Sequence, residues 1–188
     1  GAYLGCIVLE DTLRAEAPAV LRELTARGIR ETQLLTGDHA AAGRRIGAAA
    51  GVDAVQAELL PADKASAVEA LEKAGKRVAF LGDGLNDAPV LAAATAGIAM
   101  GGSGADLAVE TADIVLLRDG LSPLPGLYRL SCKTRRIERE NIIGAIGIKV
   151  LVLLLASLGL VGMWLAVFAD VGVSLLAVAN ALRTRQAA

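Results

Sequence analysis

Between Ile142 and Leu182 the chain carries only two charged side chains, Lys149 and Asp170. The stretch divides into 21 residues from Ile142 to Gly162 and 19 from Trp164 to Leu182, the second interrupted by Asp170 and Asn180. Each run is close to the roughly 20 apolar residues that a helix needs to cross the hydrocarbon core of a bilayer. A buried hairpin of a water-soluble core can have the same composition, but two adjacent runs are hard to house in so small a domain. The pattern predicts a two-helix transmembrane hairpin, segments 141–162 and 164–183, with a tight outer turn around Gly162–Met163. Lys133, Arg135, Arg136 and Arg139 precede the first run, and Arg183 and Arg185 follow the second, so both charged ends, including a tail at 184–188, are expected in the cytoplasm.

Ionisable side chains within such runs are costly, which makes Lys149 and Asp170 candidates for function. Counted from the middle of each run, Lys149 lies about three residues toward the cytoplasm and Asp170 about three toward the outside. At about 1.5 Å per residue their backbones differ by roughly 9 Å in depth, a gap that a lysine stem and modest tilt can largely bridge. Lys149 can also snorkel its ammonium to the cytoplasmic surface. The short Asp170 side chain cannot.

The apolar content of 54% is concentrated in these runs, and the first 140 residues hold nearly all the ionisable groups. A net charge of -1 gives no support for a nucleic-acid partner. Cys6 and Cys132 match no metal or redox spacing, and Cys6 in its apolar run reads as core. The chain opens inside an apolar stretch, without a basic leader and cleavage site, and reads as a segment of a longer protein.

The polar part alternates strand and helix patterns. "YLGCIVLE", "TQLL", "DAVQA", "RVAFL", "AGIAM" and "ADIVLL" are strand-like, and helices are expected over Arg14–Arg27, Ala40–Ala50, Ala62–Lys73 and Asp87–Ala94. Short links between alternating elements imply a mostly parallel sheet covered by helices, with active loops at the carboxyl ends of the strands.

Two motifs fall at such ends. "TGDH" offers the Thr36 hydroxyl, the permissive backbone of Gly37 and the Asp38 carboxylate at a helix start, where free N–H groups attract anions. The same residues also make an ordinary turn and N-cap. In "LGDGLND", Asp83 and Asp87 can both face Mg²⁺, which takes oxygen ligands, while Gly82 and Gly84 permit the turn. An Asp-rich loop with a helix cap at Asp87 is the structural alternative. Lys64 adds a counter-charge for phosphate or is a solvated helix lysine. Together the three elements favour phosphoryl chemistry, which depends on positioning and charge neutralisation. A covalent route also needs a nucleophile, and Asp11 in "EDTLR" lacks the glycine-containing loop that would wrap a phosphate.

"DTLRAEA", "LLTGDH", "LLPADK" and "GDGLNDAPVLAAATAGIAMGGSGADLAVETADIVLL" resemble the phosphorylation domain of P-type ATPases, members of the haloacid dehalogenase-like superfamily. The resemblance implies an α/β, Rossmann-like, mostly parallel sheet over 1–120, incomplete at its N-terminal side, then a stalk helix at 121–140 and the hairpin. It implies that Thr36, Gly37 and Asp38 lie beside an aspartyl phosphate, that Lys64 neutralises it, and that Asp83 and Asp87 serve Mg²⁺ with Asn86 hydrogen-bonded around them. Asp11 and Arg14 match a "DxxR" stretch that arranges the hinge side. The acceptor motif DKTGT does not occur in this sequence, and the resemblance places it upstream with the nucleotide-binding domain, the actuator domain and six membrane helices.

"NIIGAIGIK" and "WLAVFADVGVSLLAVANALR" are similar to the last two helices of heavy-metal (type IB) pumps of the zinc, cadmium and lead branch. That likeness implies an ATP-driven exporter of Zn²⁺, Cd²⁺ or Pb²⁺, a monomeric multi-pass protein of the plasma membrane with its soluble domain in the cytoplasm. Asp170 would be an oxygen ligand of the transported ion, Lys149 its counterion, and a cysteine pair in the sixth helix would complete the site. A carboxylate suits Zn²⁺ better than Cu⁺, which prefers soft sulfur. The competing readings are a membrane-anchored Mg²⁺-dependent phosphatase of the same superfamily and a non-catalytic membrane protein that binds Mg²⁺ or a partner helix. Without the acceptor aspartate, the 188-residue chain alone is expected to be inactive as an ATPase.

Overall fold

The computed structural model describes residues 12–82, 87–100, 110–117 and 120–187. The expected first strand, Cys6, Asp11, Asp83, Gly84 and Asn86 lie outside them. The chain divides into two compact units, Gly1–Leu124 and Pro125–Ala188.

The first unit is built from strand–helix–strand pieces. Helix α1 (Ala17–Ala26) begins three residues later than the apolar stripe suggests. A start at Arg14 would place Pro18 in the helix interior, where its ring would clash with the Arg14 carbonyl and its missing N–H would break the ladder. Beginning at Ala17 puts Pro18 in the first turn, where no N–H is needed. Strand β1 (Gln33–Leu35), helix α2 (Ala40–Ala50) and strand β2 (Ala54–Gln56) then form a parallel crossover with Leu34 opposite Val55. Helix α2 needs small residues on its inner face, because a Cβ on Gly47 would come within 2.3 Å of Val55 Cγ2 and one on Gly43 within 3.1 Å of Thr36 Cγ2.

Helix α3 (Pro61–Lys73) starts with proline at its first position, and the Asp63 carboxylate accepts the Leu60 N–H at 3.0 Å. Strands β3 (Ala79–Gly82), β4 (Ala96–Met100) and β5 (Ile114–Leu116) pair in parallel in that order, and helix α4 (Ala88–Ala93) makes the crossover between the first two. Leu91 of α4 packs on Ala99 of β4, with Phe80 and Ala112 against them. Glu72 ties α3 to this sheet by accepting the backbone N–H groups of Val78 and Thr95, 3.1 and 2.8 Å away. The Thr95 hydroxyl donates to it as well, and these bonds hold its carboxyl below the usual range.

The second unit holds two long helices. Helix α5 runs without a break from Leu124 to Ser157, 34 residues, so the stalk and the first apolar run are one element. No Gly or Pro stands at Glu140–Asn141–Ile142, and a change in polarity does not by itself interrupt i→i−4 bonding. The helix ends five residues earlier than the apolar run. Gly159 adopts a left-handed φ of 72°, and the N–H groups of Gly159 and Leu160 close on the carbonyls of Ala156 and Leu155. This is a Schellman termination. The turn therefore occupies 158–162, and Met163 is the first residue of helix α6 (Met163–Ala181) instead of part of the turn. A 3-10 segment, Leu182–Ala187, follows. Both helices are long and apolar enough to cross a membrane.

Candidate functional site

Strand β1 delivers its carboxyl end to Thr36–Gly37–Asp38. The Thr36 hydroxyl donates to Asp38 Oδ2 at 2.8 Å and accepts the Asp38 N–H at 3.1 Å, so the two side chains close a small ring over Gly37. A Cβ on Gly37 would stand 3.2 Å from the Leu59 carbonyl oxygen, which is why the turn takes the residue without one. The backbone of Thr36 binds Gln56 and Leu59, and Asp38 accepts from Glu58, so the loop is pinned to the segment that leads into α3. Glu58 has a φ of 59°, unusual for a residue with a side chain. Its carboxylate accepts the Ala40 N–H at 3.2 Å, at the N-terminus of α2, with His39 Nδ1 3.7 Å away. Sequence reasoning missed Glu58, and its spacing carries no signal.

Helix α3 in turn places Lys64. Its ammonium contacts Asp87 Oδ1 at 3.0 Å, and the two side chains are only 19% and 12% exposed. Asp87 sits at the start of α4, with its carbonyl accepting from Val90 and Leu91. It is the buried charged residue of the unit among the described residues. A Cβ on Gly82, the last residue of β3, would come within 2.9 Å of Asp87 Oδ2, so the glycine makes room for the carboxylate. Lys64 and Asp87, predicted separately, are thus brought together at the carboxyl end of β3. Thr36 and Asp38 bond to each other, and the 58–60 segment links them to α3. Asp83 and Asn86 fall outside the described residues. Among the described residues no cluster of three His, Cys, Asp or Glu side chains could hold a metal ion. A hard cation using one or two carboxylates plus phosphate oxygens and water still fits Asp87, whose Oδ2 is not engaged by Lys64.

In the second unit, Lys149 Nζ lies 2.7 Å from Asp170 Oδ1. The expected depth gap of roughly 9 Å is corrected by the earlier end of α5. Lys149 stands eight residues before the end of that helix and Asp170 seven after the start of the next, about 12 and 10.5 Å from the turn at about 1.5 Å per residue. The lysine therefore turns to its neighbour instead of snorkelling alone. Beyond them, Asn141 Nδ2 donates to the Ala177 carbonyl at 3.0 Å, and Asn180 Nδ2 donates to Asn141 Oδ1 at 2.8 Å. Sequence reasoning saw Asn180 only as an interruption and missed Asn141.

A family model of haloacid dehalogenase-like hydrolases matches residues 1–95, half of the chain. The chain belongs to that family. The haloacid dehalogenase-like chain is also 47% identical over 184 residues to a cadmium, zinc and cobalt-transporting ATPase of Bacillus subtilis, covering 96% of this chain and 26% of that protein. A zinc-transporting ATPase of Synechocystis is 46% identical, with 97% and 26% covered. The structure of the 188-residue chain resembles a crystal structure of a zinc-transporting PIB-type ATPase in the E2.Pi state, with a TM-score of 0.86, 44% identity and 93% of this chain covered against 28% of that one. The haloacid dehalogenase-like chain thus spans about a quarter of the length of the relatives it matches, the C-terminal part of cadmium- and zinc-transporting P-type ATPases.

Proposed function

We propose that these 188 residues supply part of the phosphorylation domain (1–120), the stalk (121–140) and the last two membrane helices of an ATP-driven exporter of Zn²⁺, Cd²⁺ or Pb²⁺. The observation that carries this reading is the Lys149–Asp170 pair at 2.7 Å, between two helices apolar enough to span a bilayer. A carboxylate at that depth without a partner would be costly, and the ammonium on the neighbouring helix offsets it. In the transport reading Asp170 gives an oxygen to the ion, and Lys149 takes the carboxylate back when the ion leaves. Thiolates from elsewhere in the pump would complete a mixed sulfur and oxygen site suited to Zn²⁺ and tolerant of Cd²⁺ and Pb²⁺.

In the first unit, Mg²⁺ when bound would offset phosphate charge, and Asp83 and Asp87 are the residues to hold it. Lys64 neutralises phosphate oxygens from the α3 side, Thr36, Gly37 and Asp38 line the adjacent loop, and Asn86 hydrogen-bonds around the site. The aspartate that accepts the phosphoryl group from ATP is not among these residues, so transport requires the upstream domains. The soluble unit is cytoplasmic, the protein a monomeric, multi-pass component of the plasma membrane. Support comes from the transporter relatives, the basic flanks and the paired helices. Zinc stoichiometry and Zn²⁺-stimulated ATP hydrolysis, measured in the intact transporter with Asp170→Ala, test the ligand role. Both should fall to background. Wild-type values refute the role, and stimulation by Cu⁺ with none by Zn²⁺ moves the protein to copper transport.

A further inference from the structure

We propose that Asn141 and Asn180 are positioning residues that fix the axial register of α5 against α6 and thereby bring Lys149 to Asp170. The functional consequence rests on the transport reading; the geometry does not.

The donors and acceptors of the two amides leave little freedom. Asn141 Nδ2 donates to the Ala177 carbonyl, which can only accept, so Asn141 Oδ1 is the atom turned to Asn180. Asn180 must then donate through Nδ2, and its own Oδ1 is left to accept from Arg183 Nη1 at 2.8 Å. Arg183 also approaches Glu140 at 3.5 Å, and Glu140 is held by Arg136 at 2.9 Å. The chain of bonds therefore crosses from one helix to the other and ends on charged groups at the polar end of the hairpin. Reversing either amide would set like against like.

The second contact between the helices is the Lys149–Asp170 pair. Asn141 precedes Lys149 by eight residues, and Ala177 follows Asp170 by seven. At about 1.5 Å per residue the two levels are separated by about 12 Å on one helix and about 10.5 Å on the other. Two cross-links at matched spacing define a register, whereas one alone permits sliding and swing. A slip of a single residue would move each partner about 1.5 Å along the axis and about 100° around it, breaking both. Apolar packing within the pair is thin in this interval, with the small residues Ala145, Gly172 and Ala177 half-buried beside Val173. Ile146 and Leu176, which lie along the helices within this interval, are 58% and 66% exposed, and Val173 is the one buried side chain of α6 among the described residues. Interhelical hydrogen bonds in a membrane are individually modest, so the pair of amide bonds acts by alignment more than by strength.

The test uses the intact transporter with Lys149→Cys and Asp170→Cys, bridged by a short bifunctional methanethiosulfonate and read by mass spectrometry of the joined peptides. With both asparagines present the bridge forms rapidly. In the Asn180→Leu background, and in the Asn141→Ala background as a second variant, the rate should fall about threefold to tenfold. An unchanged rate in both overturns the proposal. A second readout uses native Lys149 and Asp170. Asn180→Leu should lower turnover while leaving half-saturating Zn²⁺ unchanged, and should cause no further loss in a Lys149→Ala background. Additive losses overturn action through Lys149. If Lys149→Ala alone has wild-type turnover, the counterion reading fails, and the cross-linking rate still decides the register.

Discussion

Breaking the Lys64–Asp87 pair should destabilise the first unit in a way that its two single substitutions do not add. The charges lie 3.0 Å apart with side chains 19% and 12% exposed. Their gross attraction is about 5–6 kcal/mol at an effective dielectric of about 20. Most of that is offset by the desolvation of both groups, so the pair contributes little net. Removing one partner is different, because Lys64→Met leaves the Asp87 carboxylate against the end of β3 without a counter-charge. The expected loss is about 3 kcal/mol, the lower end for a buried pair because both groups keep some contact with water. With a urea slope of about 2 kcal/mol per molar, the midpoint should drop by about 1.5 M. Asp87→Asn is expected to cost less, since a neutral amide still accepts from the ammonium. The double variant should recover about 2 kcal/mol relative to the sum of the singles. Pulse proteolysis of the purified chain in detergent, across a urea series, gives all four stabilities. Additivity within about 0.5 kcal/mol would show that the contact carries no coupling and refute the reasoning.

Gly97→Ala should destabilise the same unit by about 1–3 kcal/mol, because the new Cβ would stand 2.6 Å from the Leu91 carbonyl oxygen; an unchanged urea midpoint would mean that α4 can lift away from β4. Single cysteines at Gly162 and Thr184 should label from opposite sides of a sealed vesicle, and labelling of both from the cytoplasmic side alone would show that the hairpin does not span. Glu140 is held below its ordinary value of 4.5, first by the hydrogen bond from Arg136, then by Asn180 and Arg183. A depressed carboxyl stabilises the folded form above its unfolded pKa and loses that contribution as pH falls through the folded value. Glu140→Gln should therefore speed amide exchange around residues 138–142 at neutral pH and make no difference in strong acid; an effect independent of pH would assign Glu140 a packing role only.

Much of the first unit was legible because its punctuation is local. Helix α2 and strand β4 begin and end where the pattern places them, the helix between His39 and a Gly51 of φ 78°. The start of α1 is not legible in its apolar stripe, which says which face is buried, whereas Pro18 says where the ladder can begin. Hydropathy alone likewise hid the end of α5. Leu158, Leu160 and Val161 keep the run apolar on both sides of Gly159, yet the backbone turns there. That one glycine moves the end of α5 by five residues and accounts for most of the difference in the relative depth of Lys149 and Asp170. The partnership of Asn141 with Asn180 could not be read from either helix alone, since it depends on a register set by the turn. The pairing of Lys64 with Asp87 joins residues 23 apart through a crossover, and each motif named only one of them.

The unbroken course of α5 has a mechanical consequence. From Leu124 to Lys149 the helix extends about 37 Å at about 1.5 Å per residue, with Pro125 confined to its first turn and no proline beyond it. Such a rod is stiff along its axis and curves only gently. Pivoted near its first turn, it magnifies small angular movements. A tilt of about 5° would carry the Lys149 backbone sideways by about 3 Å at the same rise per residue, more than the 2.7 Å that separates its ammonium from Asp170. The ammonium therefore rides at the far end of a lever whose stroke, for a few degrees of rotation, is as long as its distance to Asp170.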